Sequence, residues 1–245
     1  VRFSVLSGDP RNARLCEIIT EEGRDARLFS QSEAAEAAAY GDVIVLPVKG
    51  MEGGLFNGLL RDGQTLVTGE DFLSREDFLI LNAAITAEGA LELAMREMPV
   101  ALHGSEALVT GYGRIGKLLC KKLKSLGAHV TGAARKDADF AWIDALGYRA
   151  AHSLKLDGAL AGYDAVFNTI PHLTLTSARL RELKPSCVII DLASAPGGTD
   201  FKAAERLGLC CRWALSLPGK CAPESAARNM RLVLGRILAE RGMTL

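Results

Sequence analysis

The stretch ALVTGYGRIGKL, residues 107–118, decides the reading of this chain. Four β-prone residues run into Gly111, Gly113 and Gly116, and a helical pattern follows directly. A G-x-G-x-x-G turn between a strand and a helix is informative because each glycine has a separate physical task. The first permits a tight turn, the second lets backbone amides approach a pyrophosphate, and the third lets helix and strand pack closely. The helix N-terminus then faces the negative charge. With Tyr112, Arg114 and Ile115 between the glycines, this segment is read as a dinucleotide-binding turn.

On either side of it, strand-like runs at 2–7, 42–48, 107–110, 129–134, 165–170 and 187–193 alternate with helix-like stretches. That alternation predicts an α/β protein with parallel sheets covered on both faces. Ile115, Leu118, Leu119, Leu123 and Leu126 recur at helical spacing, and Lys117, Lys121, Lys122 and Lys124 read as the solvated face. AAITAEGALELAMREMP, at 83–99, reads as a connecting helix with Thr86 as its N-cap, and 222–241 reads as a long amphipathic helix after the loop LPGKCAP. The expected architecture is a Rossmann domain at 85–221 with a smaller flavodoxin-like α/β domain at 1–84, to which a C-terminal helix, 222–245, returns.

The bulk composition narrows the partners. Of the 245 residues, 29 are Lys or Arg and 29 are Asp or Glu, so no net field draws the chain to nucleic acid or an acidic membrane. Its partner is expected to be small. The six cysteines show neither CxxC spacing nor nearby paired histidines, which speaks against a metal site and a secreted disulfide framework. They are read as reduced thiols of a cytoplasmic protein, and no uninterrupted apolar run reaches membrane length.

An NAD site usually carries an acid at the end of the second strand, where it holds the ribose hydroxyls. Here that end reads AARK: Ala134 removes the carboxylate, and Arg135, seconded by Lys136, offers a cation to a 2′-phosphate. NADP is the cofactor this favours, with Asp137 as a ribose ligand the competing reading. Three further strand ends carry polar or glycine-rich loops, NTIPHL (168–173), DLASAPGGTDF (191–201) and SLPGKCAP (216–223). Each alone reads as a turn; together with the glycine turn they read as the lining of a nicotinamide and substrate site.

VTGYGRIGK, FNTIP, and above all DLASAPGGTDF followed by LPGKCAPESA resemble the A-type subunits of bacterial dipicolinate synthases, from spore-formers. The likeness runs from about residue 103 to 238. In the first domain it is confined to SGDPRN (7–12) and LPVKG (46–50), and the stretch between Leu60 and Leu79 reads as short by an element or two. The resemblance implies NADP-dependent oxidation of dihydrodipicolinate to dipicolinate. It implies that Gly111, Gly113, Gly116 and Arg135 hold the cofactor, that Asn168, Thr169 and Pro171 lie along the nicotinamide ribose, and that Asp191, Ser194, Gly197 and Gly198 shape the floor. It also implies a heteromer whose second member is flavoprotein-like. Association with further copies of the chain is left open.

Two carboxylates on the substrate call for donors, and Arg11, Lys49, Ser194, Thr199 and Lys220 are the candidates. No catalytic acid or base is assigned, and His172 reads as a solvated loop residue. A D-2-hydroxyacid dehydrogenase would need a histidine in the last substrate loop. SLPGKCAPESA has none, since the histidines are at 103, 129, 152 and 172. A non-catalytic NADP-binding module is the remaining alternative.

Overall fold

The computed structural model describes residues 1–243 and divides them into two compact units, Val1–Ile85 with the C-terminal segment from Pro218, and Thr86–Leu217. The first unit contains β1 (Arg2–Leu6), α1 (Pro10–Glu21), β2 (Asp25–Phe29), α2 (Ala34–Tyr40), β3 (Val43–Val45), β4 (Thr65–Val67) and α3 (Gly69–Leu73). Helix α4 (Glu76–Glu97) begins in the first unit and ends in the second. The second unit continues with β5 (Glu106–Thr110), α5 (Arg114–Ser125), β6 (His129–Ala134), α6 (Asp137–Ala145), β7 (Arg149–His152), β8 (Ala165–Asn168), α7 (Ser177–Leu180), β9 (Val188–Asp191), α8 (Phe201–Arg206) and β10 (Cys210–Trp213). The last elements are α9 (Leu217–Cys221) and α10 (Pro223–Glu240).

All strand pairings are parallel. The six-stranded sheet has the order β10-β9-β8-β5-β6-β7, the doubly wound order in which the strand sequence reverses between β5 and β8. The four-stranded sheet has the order β2-β1-β3-β4, a flavodoxin-like arrangement that stops one strand early. A parallel strand covered on both faces needs apolar residues at successive positions. In the small sheet Phe3, Val5, Val43 and Val45 face one core, and Leu6, Ile44 and Leu46 face the other.

The first of those cores is closed by α10. Ala227, Met230, Val233, Leu234, Ile237 and Leu238 recur at the helical period and join the apolar side chains of α1. The short stretch after Leu60 is tied down locally. Gln64 Nε2 donates to the carbonyls of Ala38 and Gly41 (2.6 and 2.5 Å), and Arg61 Nη2 donates to those of Ala38 and Ala39 (3.3 and 3.0 Å), so the loop is pinned to the end of α2. Arg241 Nη1 donates to the carbonyl of Leu66 at 2.8 Å, satisfying an acceptor on the edge strand β4.

Two sequence expectations are corrected here. Thr86 is not an N-cap; the helix starts ten residues earlier at Glu76, because Phe78, Ala83 and Ile85 carry the buried face back through REDFLILNAA, and Thr86 is an interior, buried position. LPGKCAP is not simply a loop, since Leu217–Cys221 forms α9. By length and composition α4 would suffice to cross a membrane, and 50% of its most apolar stretch is buried.

Leu234 is fully buried between α1 and the small sheet. Leu234→Ala is therefore expected to cost about 2–5 kcal/mol in chemical denaturation, far more than truncation of the half-exposed Leu232 on the same helix. Equal losses would show that α10 is not part of the core.

Candidate dinucleotide site

The second unit gathers its polar strand ends where the strand order reverses. Gly111 has φ 92°, and a Cβ there would lie 2.3 Å from Thr169 Oγ1, so the tight turn and the neighbouring strand end both require glycine. A Cβ on Gly116 would lie 2.0 Å from the carbonyl oxygen of Gly111, which is the close helix–strand packing assigned to the third glycine. Gly113 differs: a Cβ there would meet no atom within 4 Å. It is the N-cap of α5, lacks a side-chain cap and has no acid in the following turn, while Lys122 and Lys124 occupy the last turn. The helix dipole and the open backbone thus favour an anion at Gly113.

A cleft of about 370 Å³ opens at this turn, between Tyr112, Gly113, Lys117, Arg135, Lys136 and Ser153. Arg135 and Lys136 are exposed, and neither side chain has a hydrogen bond or ion pair among the described residues. Asp139 is the acid on this cleft and lies 3.9 Å from Lys117. The cleft therefore carries unpaired positive charge. Tyr112 is buried with its hydroxyl unpartnered; burial above all pushes its pKa up to about 12, which keeps it a neutral wall. A second cleft, of about 570 Å³, shares Arg135, Ser153 and Ile170 with the first and extends past Pro171 and His172. Its far wall is tied by Arg179, which pairs with Asp157 (Nε to Oδ1, 2.9 Å) and donates to the carbonyls of Thr174 and Leu154 (2.8 and 2.9 Å).

Beneath the strand ends lies a buried network centred on Asp191. Its carboxylate is inaccessible to solvent and accepts from Asn168 Nδ2 (3.0 Å), Ala193 N (3.0 Å), Gly198 N (2.9 Å) and Thr199 Oγ1 (2.7 Å). Asn168 Oδ1 in turn accepts from Thr110 Oγ1 at 2.6 Å, linking the ends of β5, β8 and β9. The polar groups of Asn168, Asp191 and Thr199 are thereby engaged within the protein, as is the amide of Gly198. Thr169 Oγ1 donates to the carbonyl of Thr110 (2.9 Å), whereas Pro171 and Ser194 are exposed. Gly197 has φ 85°, and a Cβ there would press on the Phe201 ring at 2.8 Å.

The other residues named from the sequence sit in the first unit. Arg11 is buried and closes a fork on Asp9, with Nε to Oδ1 at 2.9 Å and Nη2 to Oδ2 at 2.5 Å, beside Gly219. Burial raises the Asp9 pKa, but its Arg11 hydrogen bonds and charge outweigh that and hold the carboxyl below its usual range. Lys49 is exposed on a groove of about 830 Å³ at the carboxyl ends of the small sheet, and Lys220 is exposed on α9. Lys117, read from the sequence as part of a solvated face, lines the dinucleotide cleft, as does Ser153, which no motif marked.

Comparison with known proteins agrees with this geometry. Residues 82–197 match the family described as D-isomer specific 2-hydroxyacid dehydrogenase, NAD binding domain. The A-type subunit of dipicolinate synthase from Bacillus subtilis (strain 168) is 29% identical in an alignment that covers 98% of this chain and 96% of the relative. That alignment runs over 286 residues, more than the 245 here, so the relative carries segments for which this chain has no counterpart. Among solved structures, the A-type dipicolinate synthase subunit of Bacillus halodurans superposes with a TM-score of 0.82 at 26% identity, covering 97% of each chain. The corresponding Bacillus subtilis structure gives 0.80 at 27% identity, covering 98% of this chain and 96% of its own.

The contrast between glycines provides a test. Gly113→Ala is expected to leave the melting temperature unchanged while weakening dinucleotide binding. Gly198→Ala, whose Cβ would fall 2.2 Å from Asn168 Nδ2 and 2.4 Å from the carbonyl oxygen of Ile170, is expected to lose about 1–3 kcal/mol of stability by overpacking. Dinucleotide titration and thermal denaturation check both, and a destabilised Gly113→Ala with normal binding would contradict the assignment. From the strand order, the glycine turn and these alignments, the chain carries a Rossmann-type domain similar to the nicotinamide-dinucleotide-binding domain of 2-hydroxyacid dehydrogenases, and over nearly its whole length it is similar to the A-type subunit of dipicolinate synthase.

Proposed function

We propose that the chain oxidises dihydrodipicolinate to dipicolinate, pyridine-2,6-dicarboxylate, with NADP as hydride acceptor and as one member of a two-subunit enzyme. The observation that carries this reading is similarity to the A-type dipicolinate synthase subunit along 98% of the chain. The unpaired Arg135 and Lys136, standing where an acid would favour NAD, support the choice of NADP.

The residues present fit the dinucleotide. Gly113 leaves an open cradle at a helix N-terminus, Gly111 and Gly116 make the turn possible, and Arg135 with Lys136 would receive the 2′-phosphate. When bound, NADP supplies a nicotinamide that accepts the hydride. Asn168 and Asp191 hold the strand ends in place rather than offering free groups, so Thr169, Ile170 and Pro171 are presented on a fixed frame. Loss of a hydride from ring carbon and a proton to solvent leaves an aromatic ring, so the chemistry asks for little acid or base power. Positioning supplies most of the rate.

Among the donors suggested from the sequence, Lys49 and Lys220 in the first unit and Ser194 in the second present side chains with no hydrogen bond or ion pair among the described residues. Arg11 is taken up by Asp9, and Thr199 by Asp191, so both act as supports. The 2-hydroxyacid dehydrogenase reading draws on the family match at 82–197, but the segment 216–226 carries no histidine to take a hydroxyl proton.

The test supplies freshly generated dihydrodipicolinate and NADP to the purified chain, by itself and with a flavoprotein-like second subunit. NADPH and dipicolinate should form one to one, faster when the second subunit is present. Dipicolinate should compete with substrate, and pyridine-2-carboxylate, lacking one anchor, much less. Turnover of a 2-hydroxy acid instead would establish the dehydrogenase reading, and tight NADPH binding without turnover on any dicarboxylate would establish a binding module.

A further inference from the structure

We propose that Ser153 is a second specificity-determining residue, donating its hydroxyl to the phosphate monoester that distinguishes NADPH from NADH. The inference deepens the NADP reading above and rests on it. Ser153 is 2% exposed, and its Oγ has no hydrogen-bond partner among the described residues. A hydroxyl buried without a partner is a standing cost in a folded protein, and most such groups are satisfied by something.

Its position says by what. Ser153 directly follows β7, and its amide donates to the carbonyl of Ala134 at 2.9 Å, so it sits beside the strand end from which Arg135 departs. It lines both of the clefts described above, and of the residues common to the two only Arg135 and Ile170 accompany it. The acids of these clefts are already answered: Asp139 lies 3.9 Å from Lys117, and Asp157 is paired with Arg179 at 2.9 Å. Arg135 and Lys136 have no such partner among the described residues. A ligand group that satisfies both an orphaned hydroxyl and an unpaired guanidinium must be an anion rich in acceptors. A phosphate monoester has three acceptor oxygens and close to two negative charges. A neutral ribose hydroxyl would serve Ser153 but leave Arg135 unanswered.

Titration of the purified full chain tests this without relying on activity. Ser153→Ala should bind NADPH roughly tenfold more weakly and NADH equally well, and adenosine 2′-monophosphate should lose affinity while adenosine 5′-monophosphate does not. Because the hydroxyl has no partner among the described residues, the ligand-free variant should melt at the same temperature as the unaltered chain or higher. A lower melting temperature, an equal loss for NADPH and NADH, or no loss for either would overturn the proposal. Arg135→Ala separates the two levels. If the unaltered chain prefers NADPH, and loses that preference with Arg135→Ala but keeps it with Ser153→Ala, the NADP reading stands and the role of Ser153 falls. If the unaltered chain binds both dinucleotides alike, the NADP reading itself fails.

Discussion

The carboxylate of Asp191 has no access to water and accepts four hydrogen bonds, from Asn168, Ala193, Gly198 and Thr199. A buried carboxylate survives only when its charge is met by well-placed donors, and hydrogen bonds to a charged group are each worth about 1.5–3 kcal/mol. The donors come from the end of β8 and from the loop after β9, and Asn168 carries the constraint on to Thr110 at the end of β5. One charge therefore fixes the strand ends at the reversal of the strand order. The glycine turn after β5 leans on the same frame, since Gly111 packs against Thr169 and Ile170. The loop residues that line the clefts are held by groups that do not line them.

This division of labour explains the character of the site. Buried polar groups are satisfied internally at the floor, while at the rim the Cα of Gly113 faces open space and the cations Arg135 and Lys136 have no hydrogen bond or ion pair among the described residues. Preorganisation of that kind lowers the cost of binding, because the floor does not have to be ordered when the ligand arrives. In the first unit the same logic gives a different outcome: Arg11, a candidate anchor by sequence, is neutralised by Asp9, leaving the exposed Lys49 and Lys220 as the free cations among the candidate anchors.

Six strands were legible in the sequence, and they are the interior strands of the two sheets, β1, β3, β5, β6, β8 and β9. The four that were not, β2, β4, β7 and β10, are the four sheet edges. The reason is burial. Interior parallel strands are covered on both faces and read as apolar runs, as in VIID and AVFN, whereas DARLF, RAAH and CCRW carry charge where an edge meets water. The glycine turn was legible because its chemistry is local. Ser153 was not, because its place depends on β7, an edge strand with no apolar signature. Lys117 followed the helical period correctly but lies on the first turn of α5, where a solvated face is also the wall of a cleft. Engagement of Asn168, Thr199 and Arg11 by internal partners depends on pairings across 23, 8 and 2 residues, and no pattern of residue types reveals which donors are already occupied.

A strand-end frame that is complete before any ligand binds has a direct signature in amide hydrogen exchange. In the ligand-free chain the amides of Ala193 and Gly198, both donated to Asp191, should already exchange slowly. Adding NADPH should slow exchange at residues 113–116 and 134–136 and leave those two amides unchanged. Rapid exchange at Ala193 and Gly198 without ligand, slowing only when NADPH is added, would contradict the existence of that frame.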